Sequence, residues 1–306
     1  MPEEKPFKKD DFEFIKCNLC GRDETKLLIK RGSSPSSVVF CRQCGLIYRN
    51  PRICRSKIFE LYQNSTFEAI DDKTLSQARK PVYKQILNNI TRYVKKGNIL
   101  DVGCGYGHFL KMAKDNGWNV FGIELSKEAS NFAKDALGIN NVSNLPLKGA
   151  AFSEGFFDVV TLINTLDFFP DPIGELKEIS RILKKEGLLV IRVPNARFTI
   201  FAYRLYLIFK NFFKKEPVGF QCYLFSSKTL KALLEKSNFR IVKLENSTFT
   251  SGDPYSIFRN LNKPLKKAVY IFIAFFAAVI YHLTSKHYLI GSSIEIYAQP
   301  KKNGKN

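Results

Sequence analysis

The stretch that decides the fold is NILDVGCGYG, residues 98–107. Its first half is a continuous apolar run typical of a buried strand, and a helix is predicted to follow near 106–116. The glycines between them allow the backbone to turn sharply and to approach a ligand closely. In open α/β sheets ligands bind at the carboxyl ends of strands, where helix N-termini receive anionic groups. The stretch therefore predicts a ligand-binding turn.

Strands and helices alternate on both sides of this turn. Helices are predicted from Ser126, an N-cap residue type, and over 174–185 and 227–237. The remaining predicted strands are 118–124, 157–163, 188–193, 241–244 and 293–297. Continuous apolar strands that alternate with helices indicate a mostly parallel α/β sheet covered on both faces.

An acidic residue follows the second predicted strand. Glu124 lies 21 residues after Gly103, where a carboxylate can accept hydrogen bonds from both hydroxyls of a ribose. The dinucleotide fingerprint is G-x-G-x-x-G, whereas this chain has G-x-G-x-G with His108 at the sixth position. The pattern favours a nucleoside-containing cofactor other than NAD, and a purely structural glycine turn is the competing interpretation.

Two C-x-x-C-G knuckles near the start of the chain predict a metal site. Four thiolates satisfy tetrahedral zinc and leave no open position, so a structural zinc ion is expected. The segments KLLIK and SVVF between the knuckles predict short strands of a zinc ribbon, with four unrelated buried thiols as the alternative. The predicted ligands are Cys17, Cys20, Cys41 and Cys44.

Composition indicates a globular chain with an anionic partner. The 306 residues are 45% hydrophobic and carry a net charge of +20, of which +13 falls in residues 196–306. A localised excess of this kind favours nucleic acid or acidic lipid as a partner. The N-terminal stretch has no apolar signal region, so a cytoplasmic protein with reduced cysteines is expected.

These motifs resemble a known family. DVGCGYGHFL resembles motif I of class I S-adenosylmethionine-dependent methyltransferases, and FGIELS resembles their second motif. Residues 156–172 and 174–195 are similar to the family's central strand, loop, helix and next strand. CNLCG and CRQCGLIYRNPR are similar to a zinc-binding module of a bacterial and archaeal subgroup, many members of which modify sugars or surface-glycan precursors. The resemblance implies a Rossmann-like sheet whose last strand, 293–297, is antiparallel.

The resemblance also implies a cofactor site for S-adenosylmethionine. In it, Glu124 holds the ribose, Ile123 and Leu125 contact the adenine, and Asn164 faces the sulfonium. Asp101, Gly103 and Gly105 line the methionine part. The complete set of cofactor residues implied is Asp101, Gly103, Gly105, Gly107, Ile123, Glu124, Leu125 and Asn164.

The chain departs from the family at its usual base positions. Relatives often carry His where this chain has Phe168, and a second His is absent from Gln221-Cys222-Tyr223-Leu224-Phe225-Ser226. Asp167 and Tyr223 remain as candidate acid/base or substrate-orienting groups, and a solvated or helix-capping carboxylate is the alternative for Asp167. Alignment on an activated sulfonium can supply much of the rate without a base. Because both usual histidines are absent, a relative that binds the cofactor without turnover is a further interpretation of the sequence.

Two apolar segments flanked by cationic residues are additional to a minimal member of that family. Residues 196–216 have the composition of an interfacial helix, and residues 268–285 contain no Asp, Glu, Lys or Arg. The second segment has three interpretations: a core helix, a membrane-dipping hairpin, or a full span. The expected organisation is a zinc-ribbon module (1–54), a helical linker or lid (55–96), a cofactor-binding core (97–195) and a basic C-terminal half (196–306).

The favoured function is O-methylation of a sugar or lipid-linked glycan precursor at the cytoplasmic face of an anionic membrane. An RNA methyltransferase is the alternative, because a zinc ribbon and a net charge of +20 suit phosphate contacts. Against it, the basic half is interleaved with aliphatic residues, and Asn164 is not followed by Pro-Pro-aromatic. The third interpretation is a non-catalytic, cofactor-binding membrane scaffold.

Overall fold

The computed structural model describes residues 7–30, 35–64, 72–208, 221–248 and 289–301, with the single residues 271, 279 and 283. Its helices are α1 (Arg55–Asn64), α2 (Asp72–Ile90), α3 (His108–Asp115), α4 (Lys127–Asp135), α5 (Pro172–Ile182), α6 (Ala196–Ile208) and α7 (Ser227–Lys236). Short 3-10 helices cover Lys9–Asp11, Leu147–Ala150 and Leu166–Phe168.

The strands fall into an N-terminal and a central group. The first group is β1 (Phe12–Glu13), β2 (Thr25–Ile29), β3 (Val38–Cys41), β4 (Ile47–Arg49) and β5 (Arg52–Ile53). The second is β6 (Asn98–Val102), β7 (Asn119–Ile123), β8 (Val142–Ser143), β9 (Phe157–Ile163), β10 (Leu183–Pro194), β12 (Phe239–Asn246) and β13 (Ser293–Pro300), and β11 (Tyr223–Leu224) joins the N-terminal group.

The central sheet has the strand order β12-β13-β10-β9-β6-β7-β8. Neighbours from β10 to β8 are parallel, whereas β13 is antiparallel to both β10 and β12. Leu100, Val160 and Ile191 in the middle of the sheet are fully buried. The predicted Rossmann-like sheet with an antiparallel last strand is confirmed.

One predicted boundary is wrong. The sequence predicts a helix over 174–185, but α5 ends at Ile182 and β10 begins at Leu183. Leu183 pairs with Phe157, and a register shift separates that pair from the next one at Leu188. Pairing with the neighbouring strand therefore outweighs the helix propensity of the Lys-Lys-Glu stretch.

The N-terminal strands form a small sheet that includes a distant segment. Strands β2, β3 and β4 are antiparallel neighbours, and β11 pairs with β4 through Tyr223 and Leu224. Helix α6 packs on this sheet, since Tyr203 lies in one apolar cluster with Val38 and Ile47. The ribbon is thus completed by residues from the C-terminal half of the chain.

Helices α1 and α2 occupy the region expected to be a helical linker. On α2 the side chains of Val82, Ile86 and Ile90 are almost completely buried against the apolar cluster of the central sheet. Pro81 lies inside α2. The helix therefore packs as a cover on one face of the sheet.

The two apolar segments are described in part. Helix α6 covers 196–208, and 209–216 lie outside the described residues, as does 268–285 apart from three positions. Across the portion of the chain that the structure describes, every helix is too short or too polar to cross a membrane.

Candidate functional site

The glycine turn is anchored to the second strand of the parallel sheet. The backbone N–H groups of Gly103 and Cys104 both donate to the carbonyl oxygen of Ile123, at 2.7 and 3.0 Å. Gly103, Gly105 and Gly107 have φ values of +76°, +53° and +81°, which other residues adopt only with strain. The turn therefore needs glycine at all three positions for backbone reasons.

The three glycines differ in what surrounds them. A Cβ on Gly103 would lie 2.5 Å from the Thr165 side chain, and one on Gly107 would lie 2.9 Å from Ala133 Cβ. A Cβ on Gly105 would meet no atom within 4 Å. Gly103 and Gly107 allow close packing within the protein, whereas Gly105 borders open space that a ligand can enter.

Glu124 points into this turn. Its Oε2 accepts a hydrogen bond from Gly105 N at 2.8 Å, and its Oε1 accepts one from Ser126 N at 2.8 Å. The residue is only 7% exposed, and burial raises the pKa of its carboxyl despite these two bonds. Each oxygen keeps a further lone pair, so the carboxylate can still receive two ribose hydroxyls.

Asp101 lies beneath the same turn at the end of β6. Its Oδ1 accepts a hydrogen bond from Thr161 Oγ1 at 2.6 Å, on the neighbouring strand β9. Burial raises the pKa of Asp101 to about 7, Thr161 opposes this, and the charge of Glu124 adds to it. A cationic ligand group at this position would stabilise the ionised form.

Asn164 occupies the turn after β9 with a φ of +59°. Its Oδ1 accepts a hydrogen bond from Arg192 Nη1 at 2.5 Å, and Arg192 Nε donates to Ser247 Oγ at 2.8 Å. Ser247 Oγ in turn donates to Glu295 Oε1 at 2.6 Å. A buried polar chain across β10 and β13 therefore fixes the Asn164 side chain.

Asp167 is a buried acid on the short 3-10 helix after β9. It is 1% exposed, and neither side-chain oxygen has a hydrogen-bond donor among the described residues. Burial raises its pKa to about 7, although the positive charge of Arg192 opposes the shift. Thr165, two residues earlier, contacts Gly103, so Asp167 lies on a turn adjacent to the glycine loop. The capping carboxylate of this segment is instead Asp171, which accepts from Gly174 N.

Tyr223 lies farther toward the N-terminal sheet. Its hydroxyl donates to Pro170 O at 3.0 Å and accepts from Arg52 Nη1 at 2.9 Å. The side chain is buried, which raises its pKa above the usual value. Both hydrogen-bonding roles of Tyr223 are thus used within the protein, an arrangement typical of an orienting group. Its predicted acid/base role stays a prediction.

The four predicted zinc ligands converge. Their Sγ atoms all lie within 4.8 Å of one another, with Cys17 and Cys44 at 3.4 Å and Cys20 and Cys41 at 3.6 Å. Four sulfurs around zinc are separated by roughly 3.8 Å, given a Zn–S bond of about 2.3 Å. Each knuckle closes through the following glycine, whose N–H donates to the carbonyl of the first cysteine. The donor set fits a structural zinc ion.

The two residues predicted to contact the adenine differ in their exposure. Leu125 is half-buried beside Glu124, whereas the Ile123 side chain is buried in the core and its carbonyl anchors the turn. Sequence reasoning missed Asn144, whose Nδ2 donates to Glu124 O at 2.9 Å, and Arg192. Arg192 in a predicted buried strand was a signal for an internal charge network. Asn144 gave no such signal.

Comparison with known proteins gives one family. A family model described as a methyltransferase domain matches residues 75–244, more than half of the chain. The match covers most of α2, the glycine turn, Glu124, Asn164, Asp167 and Tyr223.

Curated relatives match over shorter stretches. The chain is 34% identical over 103 residues to 2-methyl-6-phytyl-1,4-hydroquinone methyltransferase of Synechocystis sp., covering 32% of each chain. It is 33% identical over 119 residues to ubiquinone biosynthesis O-methyltransferase of Haemophilus ducreyi, covering 36% of this chain and 50% of that one. The chain spans a third to a half of the length of these first relatives.

A solved structure shares the fold. An S-adenosylmethionine-dependent methyltransferase from Thermotoga maritima, described as a possible histamine N-methyltransferase, superposes with a TM-score of 0.53. The identity is 20%, and the match covers 80% of this chain and all of that one. At this identity the likeness concerns the fold alone.

Proposed function

Since this chain belongs to the methyltransferase-domain family, we propose that it transfers a methyl group from S-adenosylmethionine to a small-molecule hydroxyl. One observation carries the proposal: the carboxylate of Glu124 faces Gly105, the glycine of the turn that borders open space. A nucleoside ribose that enters this space meets a carboxylate held in place by two backbone N–H groups.

The cofactor fits the residues that line the turn. Among the described residues, a side-chain hydrogen bond is seen only to Oδ1 of Asp101, and burial together with the charge of Glu124 raises its pKa to about 7. The ammonium group of a methionine moiety would supply a compensating positive charge. Asn164, held by Arg192, presents an amide beside the same strand ends. When bound, the cofactor supplies a methyl carbon that is electrophilic because it is attached to a sulfonium.

Asp167 is the residue that we assign to the acceptor. A pKa of about 7 suits a general base at neutral pH, because the carboxylate is then partly ionised and basic enough to take a proton. Asp167 would take the proton of the acceptor hydroxyl, so that the hydroxyl oxygen could attack the methyl carbon that a bound S-adenosylmethionine would supply, with S-adenosylhomocysteine as the leaving group.

The acceptor class that we favour is an amphiphilic compound with a free hydroxyl. Two curated relatives are named for quinone-type acceptors, which supports a lipophilic phenol or quinol. The glycan precursor predicted from the sequence remains the second candidate, because the N-terminal cysteine module resembles that of sugar-modifying enzymes. Both classes are amphiphilic, and RNA is the alternative that the assay must separate from them.

Helix α6 supports delivery of such an acceptor from an anionic membrane surface. Its exposed side chains are Arg197, Phe201, Arg204, Leu207 and Ile208. Arg197, Phe201, Arg204 and Ile208 follow the i, i+4, i+7, i+11 spacing of one helical face. A face that combines arginines with exposed apolar groups suits the headgroup region of an anionic bilayer.

The function is tested first by calorimetry with S-adenosylhomocysteine on zinc-loaded, full-length protein. Binding with 1:1 stoichiometry is expected, and its absence would refute the proposal. Radiolabelled methyl transfer to a short-chain quinol, a polyprenyl-linked sugar and a mixed RNA preparation then separates the acceptor classes. Label in RNA alone would overturn the small-molecule assignment.

Flotation with vesicles tests the membrane surface. The protein is expected to float with vesicles that contain phosphatidylglycerol and to stay behind with phosphatidylcholine alone. Replacing Phe201 and Ile208 together by Ser is expected to abolish flotation. Leu145→Ser is the control, because Leu145 is 53% exposed on another part of the surface. Equal flotation of both variants would exclude α6 as the membrane contact.

A further inference from the structure

The zinc ribbon is connected to the Asp167 turn by a short series of backbone hydrogen bonds. Arg49 N, at the end of β4, donates to Cys222 O at 3.0 Å. Cys222 N donates to Asp167 O at 2.9 Å. Strand β4 begins three residues after the ligand Cys44, so two hydrogen bonds separate the strand that leaves the metal site from the backbone of Asp167.

Arg52 forms a second connection. Its Nη1 donates to Pro170 O at 2.6 Å and to Tyr223 OH at 2.9 Å, while its Nε donates to Glu13 Oε1 at 2.9 Å. The Arg52 side chain is 11% exposed, so these bonds lie largely out of water. A planar guanidinium with three partners on three segments fixes their relative positions.

The apolar interior of the ribbon is continuous with that of the main domain. Cys17, Cys41 and Tyr48 belong to the same buried cluster as Leu166 and Phe225. Lys236 on α7 also donates to Leu19 O, between the two cysteines of the first knuckle, at 2.8 Å. The ribbon therefore shares its apolar core with Leu166, beside Asp167, and is bound to α7 as well.

Small metal modules of this kind depend on the ion for their structure. Strands β2, β3 and β4 have five, four and three residues, which is short for a sheet that must hold itself together. The energy of metal binding to such a module is also folding energy. Loss of the ion is thus expected to loosen β4 and whatever β4 supports.

We propose that the four-cysteine metal site is the positioning element of the Asp167 turn. Metal binding holds β4, and β4 together with Arg52 holds β11 and residues 166–170 beside the glycine loop. The inference rests on the proposed function in one respect, namely that the Asp167 turn contacts the acceptor substrate. The metal would then act on the proposed chemistry only by positioning Asp167.

Hydrogen exchange measured by mass spectrometry tests this positioning without an acceptor. In zinc-loaded, full-length protein, removing the metal by chelation is expected to speed exchange in 166–170 and at Cys222 by about tenfold or more. Exchange in β6 and β7 is expected to stay slow, and the affinity for S-adenosylhomocysteine to change by less than about threefold. Unchanged protection of 166–170 after metal loss would overturn the proposal.

A variant that keeps all four cysteines separates positioning from unfolding. Arg52→Met is expected to retain zinc and to speed exchange in 166–170, whereas Arg55→Met is expected to change nothing there. Arg55 is 65% exposed on the adjoining helix and lies 4.0 Å from Glu175. If chelation also speeds hydrogen exchange in β6, the Arg52→Met variant decides between positioning and unfolding. Normal protection of residues 166–170 in this variant overturns the proposal.

The experiments distinguish a failure of the positioning proposal from a failure of the proposed function. Failure of the intact protein to bind S-adenosylhomocysteine would remove the methyltransferase assignment and leave the exchange result standing. Normal binding of S-adenosylhomocysteine with no effect of chelation or Arg52→Met on residues 166–170 would remove only the positioning role.

Discussion

The carboxylate of Glu124 receives the backbone N–H of Gly105 at 2.8 Å, across 19 residues of sequence. This bond joins the end of the second parallel strand to the centre of the turn that follows the first. It holds an acidic side chain beside Gly105, the glycine of the turn that borders open space. The same carboxylate also binds Ser126 N, so its position is fixed before any ligand arrives.

Replacing Glu124 by Ala is expected to weaken the binding of S-adenosylhomocysteine by about thirtyfold, or about 2 kcal/mol, because charge-assisted hydrogen bonds to a ribose are lost. Calorimetry measures the change. Glu128→Ala is the matched control, since Glu128 is exposed on α4 and its Oε1 accepts from Tyr106 OH at 3.1 Å. Equal affinities for both variants and the parent protein would show that Glu124 does not touch the cofactor.

Two glycines of the turn are expected to respond differently to alanine. Gly105→Ala adds a methyl group in open space at positive φ, so it should cost about 1 kcal/mol of stability while lowering cofactor affinity at least about tenfold. Gly107→Ala places the methyl group 2.9 Å from Ala133 Cβ. It should cost about 2–3 kcal/mol. Denaturant unfolding and calorimetry together separate the two effects, and the idea fails if Gly105→Ala binds the cofactor normally.

Asp167→Asn is expected to raise stability in a pH-dependent way. The folded-state pKa of Asp167 is about 7, against about 3.9 unfolded, so the folded form binds the proton more tightly between these values. The carboxyl therefore destabilises the fold increasingly as pH rises from about 4 to 7, with no further change above. The stability gap between the variant and the parent should widen by roughly 2–3 kcal/mol between pH 5 and pH 8.

Denaturant titrations at pH 5 and pH 8 measure that gap. Asp135→Asn provides the comparison, because Asp135 is an exposed residue at the end of α4. A gap that is constant with pH would mean that Asp167 is ionised in both states of the protein or has a partner.

Arg192→Met is expected to destabilise the protein by about 3 kcal/mol, since it leaves Glu295 buried without its cation. Arg192 and Glu295 are directly paired across β10 and β13, and Ser247 bridges them. Adding Glu295→Gln to Arg192→Met should recover part of the loss. Arg181→Met should cost less than about 1 kcal/mol, because its bond to Glu178 is on the surface. Equal losses for the two arginines would contradict an internal network.

The sequence predicted the elements of the central sheet well because their signals are local. A buried parallel strand must be apolar along its whole length, and 157–163 and 188–193 satisfy this without reference to the rest of the chain. The helix predicted over 174–185 ran too far, because residues 183–187 are set by pairing of Leu183 with Phe157, and this pairing is not local.

The sequence predicted those parts of the candidate site whose residues are close together along the chain. The glycine turn, Glu124 and the cysteine knuckles depend on short spacings, and the structure brings their members together. The side-chain partners of Asp101 and Asn164, and the residue bonded to the backbone of Asp167, come from distant segments, so no short pattern pairs them with Thr161, Arg192 and Cys222.

By itself, the sequence determined the α/β fold, the family of the domain and the four thiols that a metal can join. Each of these follows from residue types at fixed short distances along the chain. Only the tertiary structure decided that Tyr223 and Leu224 complete the ribbon sheet and that the buried carboxyl of Asp167 has no hydrogen-bond donor among the described residues. Such facts depend on which distant segments meet, and burial and pairing exist only once the chain has folded around them.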